Sequence, residues 1–497
     1  MAQFLAASEA EEKKETDTKK TCAKKAKAIR LKKYTLPNLQ ALTSEQTITS
    51  DLYSKFATDF AKNKGNSMVA NAIANVGINE ASFNNNVLRE DRFIFSNETK
   101  RGNTTNQKQS GRCWLFAALN SARVSIMETL HLDDFELSEN YLCFYEKLEK
   151  SNTYLENIIA TLDKEVYSRD FSYVKENVAN DGGFFEWYAD LVTKYGVVPK
   201  SCMPETYHSS NTQVLVEALN ERLMRTAMQM RHAYEAKYPE QGEPSCEFLA
   251  EMRAKKNACL SEVYNICVKA LGVPPTVVNY AYTDKDKKKQ TITGLSPKEF
   301  YEKYCGLPLE DMVVLTNDPT ERFPDGTVLT YKYSQVVMEG KGLAQLLAPM
   351  SELTQAAVKS IKAGEPMWFA CDVGKSSDRK KGLLDDETYL TDLILTEVGE
   401  FSKKDRTIIG ETQLNHAMLL CGVDLNADGS VKKWKVENSW GEDMGSKGVF
   451  SMSQKWFEAN TYQVIVNKKY VSADILAGLK KEPVVVEPWK MICQPIK

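Results

Sequence analysis

The chain has 497 residues, which is too long for one small hydrophobic core and is typical of several domains. Hydrophobic residues make up 42% and charged residues 26% of it, a composition that excludes a wholly disordered chain, a collagen-like fibre and a membrane channel. The 64 Lys and Arg and the 67 Asp and Glu leave a net charge of -3, so a nucleic-acid role would need a local basic patch.

The cysteines and the sequence ends indicate the compartment. The 11 cysteines are odd in number, contain no Cys-x-x-Cys pair, and lack the dense spacing of small secreted scaffolds. Cys259 and Cys267 have no His nearby, which argues against a zinc site. Residues 1–10 lack the features of a secretory signal, and no run approaches the roughly 18 apolar residues of a membrane helix. We therefore expect a cytoplasmic protein without metal, cofactor or membrane contact.

The amino-terminal segment, residues 1–35, has a biased composition. Within residues 1–33 there are ten Lys or Arg and five Asp or Glu, a net charge of +5, and few residues that could be buried. The interpretation that we favour is a solvated, disordered basic tail. The alternatives are an arm that binds nucleic acid or a membrane surface, and a transit peptide, although transit peptides are poor in acidic residues.

From residue 36 onward the pattern is that of a folded chain. Ser44 begins a capped helix that continues to Phe60, residues 113–130 form a helix that is apolar on most sides, and residues 212–271 form a pair of helices. Strands are predicted in the last third of the chain, at residues 366–373, 416–424, 431–438 and 461–470. Helices before antiparallel strands indicate the α+β class.

One of the four histidines stands apart, because His416 opens an apolar strand. A turn at Asn426–Gly429 joins that strand to the next one, and antiparallel pairing places position 416 opposite about 439. His416 and Asn438 should then be neighbours, with the amide oxygen orienting the imidazole as the third member of a catalytic triad does. Considered alone, the hairpin is explained better by a half-buried structural histidine.

Cys113 is the candidate nucleophile. It starts the buried helix after Ser110 and Gly111, where the helix dipole and the free N–H groups should lower the pKa of its thiol. Arg112 would add positive potential if its side chain turned toward the sulfur. Gln107, six residues earlier, has an amide N–H that could stabilise an oxyanion. A lone cysteine at a helix start is more often structural, but its combination with Gln107 and the His–Asn hairpin favours catalysis.

Three segments carry a resemblance to a known family: Gln107 to Trp114, Leu414 to Ala417, and Glu437 to Gly441. They resemble the three signatures of papain-like cysteine peptidases. Longer segments are similar to the bleomycin hydrolase and aminopeptidase C branch, among them Asn106 to Ala117, Asn180 to Gly183, Val198 to Thr206, Trp368 to Arg379 and Tyr462 to Lys469. The resemblance runs from about residue 40 to the C-terminus.

The resemblance implies a role for each matching position. Cys113 would be the nucleophile, His416 the general base and then acid, Asn438 the residue that orients it, and Gln107 the oxyanion-hole donor. Trp440 would shield the His–Asn contact from water, and Gly182 and Gly183 would form the edge where the substrate backbone pairs. A further implied substrate-binding residue is Lys497.

The resemblance also implies an architecture. A helical half would face an antiparallel β half across a cleft, within a peptidase domain at 36–497 that carries inserted helices at about 212–300. Family members are cytosolic and typically homohexameric. Three prolines between residues 482 and 497 bar a helix there, and the segment matches an arm that lies in the cleft and restricts cleavage to N-terminal residues. A frayed tail is the alternative for this segment.

The predicted function is a cysteine aminopeptidase that hydrolyses peptides, and amide-bearing analogues such as bleomycin, through a thioester. A papain-like endopeptidase would share the same residues. A transamidase would use Asp as the third member, where this chain has Asn438. A non-catalytic protein that binds nucleic acid through the basic tail is the alternative from another class.

Overall fold

The computed structural model describes residues 47–91, 93–240 and 242–492. It divides into two compact units, one that ends at Ala81 and one that begins at Ser82. Helix α1 (Ser50–Lys62) begins after Thr49, whose hydroxyl accepts the backbone N–H of Leu52 at 3.2 Å. Helix α2 (Lys64–Ser82) is interrupted at Gly77, which has a φ of 82°. The basic tail at 1–35, the boundary at residue 36 and the cap at Ser44 lie outside the described residues.

Helices dominate the second unit as far as residue 304. A helix starts at Cys113 as predicted, and two long helices account for the predicted pair at 212–271. The helices of this part are α3 (Asn85–Glu90), α4 (Cys113–Thr129), α5 (Glu139–Ala160), α6 (Arg169–Glu176), α7 (Phe185–Tyr195), α8 (Tyr207–Ser210), α9 (Gln213–Lys237), α10 (Cys246–Leu271) and α11 (Pro297–Tyr304).

Strands dominate the remainder, with a hairpin inserted earlier among the helices. The hairpin consists of β2 (Val278–Thr283) and β3 (Lys289–Leu295). The strands of the main sheet are β1 (Asn97–Glu98), β4 (Met312–Thr316), β5 (Val328–Tyr331), β6 (Gln345–Leu347), β7 (Met367–Cys371), β8 (Ser377–Asp378), β9 (Leu383–Leu384), β10 (His416–Leu425), β11 (Val431–Glu437), β12 (Val449–Ser453), β13 (Thr461–Asn467) and β14 (Val484–Val486). The order across the described sheet is β14-β5-β6-β4-β13-β7-β10-β11-β12-β9-β8, and β1 pairs with β10.

Short helices connect these strands. They are α12 (Met350–Lys362), α13 (Thr391–Ile394), α14 (Lys403–Ile409), α15 (Gln454–Asn460) and α16 (Ala473–Leu476). Turns of 3-10 helix lie at Lys200–Cys202, Leu309–Asp311, Lys468–Tyr470, Ala477–Lys480 and Pro488–Lys490. The main sheet is mostly antiparallel, as predicted, but among its described strands the pairs β4–β6, β5–β14 and β9–β12 are parallel. Helices that precede this sheet confirm the predicted α+β class.

The main sheet separates two hydrophobic cores. Along β7, Trp368 and Ala370 pack into the core shared with the helices, whereas Phe369 and Cys371 pack into the core on the opposite face. This alternation follows from the two-residue period of a strand. A strand buried on both faces is apolar throughout, which is why the central strands could be read from the sequence. Helix α4 packs against β7 and β10, so the N-terminus of the helix lies beside the start of β10.

The predicted β10–β11 hairpin is present, with a shifted register. Leu425 pairs with Val431 and Leu419 pairs with Glu437, and irregularities occur between Leu420 and Gly422 and between Asp424 and Leu425. The two irregularities shift the pairing by one residue in opposite directions, so both ends of the hairpin lie one residue from the predicted register.

Candidate active site

Cys113 is the first residue of α4, and only 2% of it is exposed. The expectation that its pKa is lowered is wrong. Burial raises the pKa of the Cys113 thiol to about 11, because a thiolate loses its hydration there. Hydrogen bonds from the backbone N–H groups of Ala417 and Trp114 to the sulfur lower this pKa, but they do not outweigh burial. The contact with Ala417 brings the sulfur to the residue after His416.

The side chain of Arg112 does not add a free positive charge at the sulfur. Its guanidinium forms two hydrogen bonds with the Glu205 carboxylate, at 2.7 and 3.2 Å, and packs over the Phe116 ring. Although burial alone would raise it, the charge of Arg112 lowers the pKa of Glu205 to about 2. The arginine is 2% exposed, so this ion pair fixes the turn that leads into α4.

His416 and Asn438 are in contact, as the hairpin predicted. The Nε2 atom of His416 lies 2.9 Å from Oδ1 of Asn438, an oxygen that also accepts the backbone N–H of Ser439 at 2.8 Å. Because an amide oxygen can only accept, Nε2 is the donor and Nδ1 is the basic nitrogen. Burial lowers the pKa of His416 to about 4, the Asn438 bond opposes this, and the positive charge of Arg379 adds to the lowering. The ring is therefore neutral at neutral pH.

Trp440 covers this pair. Its ring stacks on the His416 imidazole with a centroid distance of 4.7 Å and an angle of 28°. On the same indole, the guanidinium carbon of Arg379 lies 4.6 Å from the ring centroid. The predicted position of Trp440 beside the His–Asn contact is thus present in the structure, and Arg379 is an addition that the sequence reasoning did not single out.

Gln107 is held from both ends of its amide. Its Oε1 accepts the Ser439 hydroxyl at 2.7 Å, and its Nε2 donates to the Ser110 carbonyl at 2.6 Å. The backbone N–H of Gln107 also donates to the Ser439 carbonyl at 2.8 Å. Since an amide nitrogen carries two hydrogens, one N–H of Gln107 is still available to a developing oxyanion.

The two glycines of the predicted substrate edge are both buried, and backbone groups of Gly182 are already bonded within the protein. Gly182 has a φ of 87°, donates to the Gly111 carbonyl at 3.0 Å, and accepts the Lys150 ammonium at 2.6 Å. A Cβ at Gly183 would lie 2.6 Å from the Trp114 ring, so no larger residue fits. The loop is thereby fixed against the turn that precedes Cys113.

A buried charge network that the sequence reasoning missed holds the same loop. The Lys147 ammonium lies 2.6 Å from Asp181, whose other oxygen accepts the backbone N–H of Gly111 at 3.0 Å and the Thr212 hydroxyl. Although burial alone would raise it, Lys147 lowers the pKa of Asp181 well below its ordinary value. The segment from Asn180 to Gly183 could have indicated Asp181, but nothing local indicates that Lys147 is buried.

Lys497, which the resemblance implies as a substrate-binding residue, lies outside the described residues. No group of three or more His, Cys, Asp or Glu residues in the described part of the chain is arranged to hold a metal ion. No helix among residues 47–91, 93–240 and 242–492 is both long and apolar enough to cross a bilayer.

The chain is similar to known proteins over most of its length. The model of the Peptidase C1-like family matches residues 47–493. An aminopeptidase C from Streptococcus thermophilus is 37% identical over 443 residues, which cover 89% of this chain and 98% of that protein. An aminopeptidase C from Listeria monocytogenes is 37% identical over 442 residues, which cover 89% of this chain and 97% of that protein. A crystal structure of PepW from Lactobacillus rhamnosis HN001 has a TM-score of 0.85 and 38% identity, and covers 90% of this chain and 98% of that one.

The fold and the similarities define the class of this protein as a papain-like cysteine peptidase, and the chain belongs to the Peptidase C1-like family. It falls in the branch of that class that contains aminopeptidase C, as the resemblance predicted. The predicted function is confirmed at the same level: the protein is a cysteine aminopeptidase.

Proposed function

We propose that Cys113, His416, Asn438 and Gln107 carry out the peptidase reaction. The observation that supports this most directly is the His416–Asn438 hydrogen bond at the end of β10 that adjoins the Cys113 sulfur. A nucleophile, a base and a residue that orients the base are the minimum that acyl transfer by a cysteine needs.

In the first step, Nδ1 of His416 takes the thiol proton as the sulfur of Cys113 attacks the amide carbonyl. The carbonyl oxygen becomes an oxyanion, which the free N–H of Gln107 and the backbone N–H of Cys113 stabilise. The tetrahedral intermediate then collapses, the C–N bond breaks, and His416 returns the proton to the leaving amine. A water molecule, deprotonated by His416, attacks the thioester, releases the acid and restores the thiol.

The burial of both groups determines how the first step starts. With the pKa of Cys113 raised and that of His416 lowered, the resting pair is a neutral thiol and a neutral imidazole. Proton transfer then accompanies the attack on the substrate. Asn438 favours the transfer because its oxygen stabilises the imidazolium form, and the Ala417 N–H does the same for the thiolate.

The resemblance supplies the substrate side of the proposal. Gly182, Gly183 and Trp440 border the site, and the C-terminal arm with Lys497 limits cleavage to N-terminal residues. Two contacts support a docked arm as far as it is described: β14 pairs with β5, and Arg322 donates to the Lys490 carbonyl at 2.8 Å. Met491 is buried and lines a cavity together with Asn180 and Asp181.

On resemblance alone, we extend the proposal to the location, the assembly and the substrates of the peptidase. The enzyme acts in the cytoplasm as a homohexamer on peptides and on amide-bearing analogues such as bleomycin. Nucleic-acid binding through the basic tail is compatible with this activity and has no supporting contact in the described residues. Light scattering of the purified protein measures the mass of the assembly.

The decisive experiment replaces the nucleophile. We expect Cys113→Ala to abolish hydrolysis of an aminoacyl arylamide with a free α-amine, while its urea unfolding midpoint remains close to that of the wild type. Cys305→Ala is the matched control, since Cys305 is also a buried thiol, and the proposed reaction uses none of its hydrogen-bond partners Ala122, Ser125 and Leu307. Residual peptidase activity in Cys113→Ala would overturn the assignment.

A deletion tests the proposed arm separately. Removing residues 490–497 should weaken hydrolysis of substrates with a free α-amine and admit N-acetylated substrates or internal bonds. If the preference for free N-termini is unchanged, the arm does not set the specificity, and the assignment of Cys113, His416 and Asn438 is unaffected.

A further inference from the structure

Arg379 is fixed close to the reacting groups without taking part in the proposed reaction. The imidazole of His416, the indole of Trp440 and the guanidinium of Arg379 follow one another in contact, at 4.7 and 4.6 Å between centres. The guanidinium is therefore separated from the imidazole only by the indole of Trp440. Arg379 is exposed, whereas His416 is buried, so the arginine lies toward solvent from the base.

The backbone that carries Arg379 is rigidly attached. The residue lies in the turn between β8 and β9, where the N–H of Gly382 donates to the Asp378 carbonyl at 2.8 Å. The N–H of Gly445 donates to the Lys380 carbonyl at 3.1 Å, which ties this turn to the loop after Trp440. Arg379 and Trp440 are thus held on two connected loops rather than on independent ones.

The guanidinium has no acidic partner among the described residues. The neighbouring carboxylate of Asp378 is already bonded to Lys381, at 2.6 Å from its ammonium and 2.8 Å from its backbone N–H. Glu442 and Asp443 follow Trp440 and are exposed, but no ion pair within 4.0 Å joins either of them to Arg379. An arginine that is exposed, stacked on an aromatic ring and unpaired presents its N–H groups to a carboxylate in the geometry that favours two parallel hydrogen bonds.

The proposed reaction fixes which part of a substrate comes near this arginine. His416 gives its proton to the leaving amine, so the leaving residue lies on the side of His416 and Trp440. A peptide backbone extends about 3.3–3.6 Å per residue, so the carboxylate of a leaving group of one or two residues spans the stack and reaches Arg379. A longer leaving group would place its C-terminal carboxylate beyond the arginine.

We propose that Arg379 is a binding residue for the free α-carboxylate of the leaving group, which makes di- and tripeptides preferred substrates. This inference rests on the proposed role of His416. The carboxylate of an acidic side chain on the first leaving residue has the same chemistry and would use the same arginine, so the test must separate the two sources.

The test compares pairs of substrates that differ only in the carboxylate. The measured quantity is the ratio of kcat/KM for a neutral dipeptide to kcat/KM for the same dipeptide with a C-terminal amide. We expect Arg379→Met to lower this ratio roughly tenfold through KM, because an exposed charge-assisted bidentate contact is lost. Arg379→Lys should restore part of the ratio, and 0.5 M salt should reduce it in the wild type by screening.

Lys380→Met is the matched control, because this neighbouring lysine is exposed but forms no contact with Trp440 in the described structure. We expect it to leave the ratio unchanged. A dipeptide amide with Asp or Glu as its leaving residue identifies the second source of a carboxylate: if Arg379→Met affects only this substrate, the proposed α-carboxylate site is overturned. An unchanged ratio in Arg379→Met, including an equal loss on both members of the pair, overturns it as well.

The failure of this inference is distinguishable from a failure of the proposed function. Cys113→Ala is assayed on an aminoacyl arylamide, whose leaving group has no carboxylate. Loss of that activity in Cys113→Ala together with an unchanged ratio in Arg379→Met leaves the catalytic assignment intact and removes only the carboxylate site.

Discussion

Replacing Lys147 with Met should destabilise the protein by about 3–5 kcal/mol, because it leaves the Asp181 carboxylate without its cation in a buried setting. The side chain of Lys147 is 1% exposed, that of Asp181 is 20% exposed, and the Lys147 ammonium lies 2.6 Å from the Asp181 carboxylate. Methionine has a similar length and no charge, so the change removes the ion pair while keeping most of the side-chain volume. What remains for Asp181 is the N–H of Gly111 and the hydroxyl of Thr212.

A double-mutant cycle tests the magnitude. Asp181→Asn should also destabilise, although less, because Glu146 lies 3.2 Å from the Lys147 ammonium and partly compensates it. The double variant Lys147→Met with Asp181→Asn should lose clearly less stability than the sum of the two single losses, since both charges of the pair are then removed and neither is left buried without the other. Urea unfolding followed by circular dichroism gives the three free-energy differences.

An exposed ion pair serves as the control. Lys164 and Asp163 lie 3.0 Å apart, with side-chain exposures of 47% and 41%. Lys164→Met should change the unfolding free energy by no more than about 1 kcal/mol. If Lys147→Met costs as little as Lys164→Met, or if the effects of the cycle simply add, the argument that this buried pair fixes the loop is refuted.

The pH dependence of the same pair has a definite sign. The folded pKa of Asp181 lies below its ordinary value of 3.8, so its contribution to stability is complete above that value. The contribution is lost as the pH falls through the lower folded pKa. The difference in stability between the wild type and the Asp181→Asn variant should therefore be constant from neutral pH to about 5 and should shrink only in stronger acid.

Three further predictions concern other buried groups. Because burial raises the pKa of Cys113 to about 11, its alkylation by iodoacetamide should accelerate steadily from about pH 7 to 10 when it is measured in a Cys246→Ala background, which removes an exposed thiol. An alkylation rate that is already constant from acid pH upward would show that an ion pair with His416 outweighs burial. Burial also raises the pKa of Glu186 from 4.5 to about 8, so the folded state binds a proton that the unfolded state has lost, and stability should fall as the pH rises between these values. Glu186→Gln should abolish that fall in the urea midpoint, and an equal dependence of the midpoint on pH in both proteins would contradict the prediction. Arg123 and Glu437 join α4 to β11 through an ion pair of 2.6 Å, with side chains 2% and 0% exposed. Arg123→Met should lower the unfolding free energy by about 3–5 kcal/mol, and adding Glu437→Gln should restore part of it. No recovery in the double variant would argue against a direct coupling of the two residues.

The residues of the candidate site were accessible from the sequence because each depends on a short segment. A helix that begins at Cys113 follows from the glycine and serine before it and the apolar run after it. The contact of His416 with Asn438 follows from one hairpin and its turn, and it tolerates the one-residue difference between the predicted and the observed register. Local patterns over about 20 residues therefore determined the catalytic candidates and the α+β class.

Only the tertiary structure decided the electrostatics of the site. The segment Glu146 to Lys150 has the composition of a solvated helix face, yet Glu146, Lys147 and Lys150 are all buried because other helices and the loop at Asp181 cover α5. The same effect reversed the prediction for Cys113: a helix N-terminus lowers the pKa of an exposed thiol, but burial raised it here. Burial and the choice of a charge partner depend on segments far apart in the chain, and no local pattern encodes them.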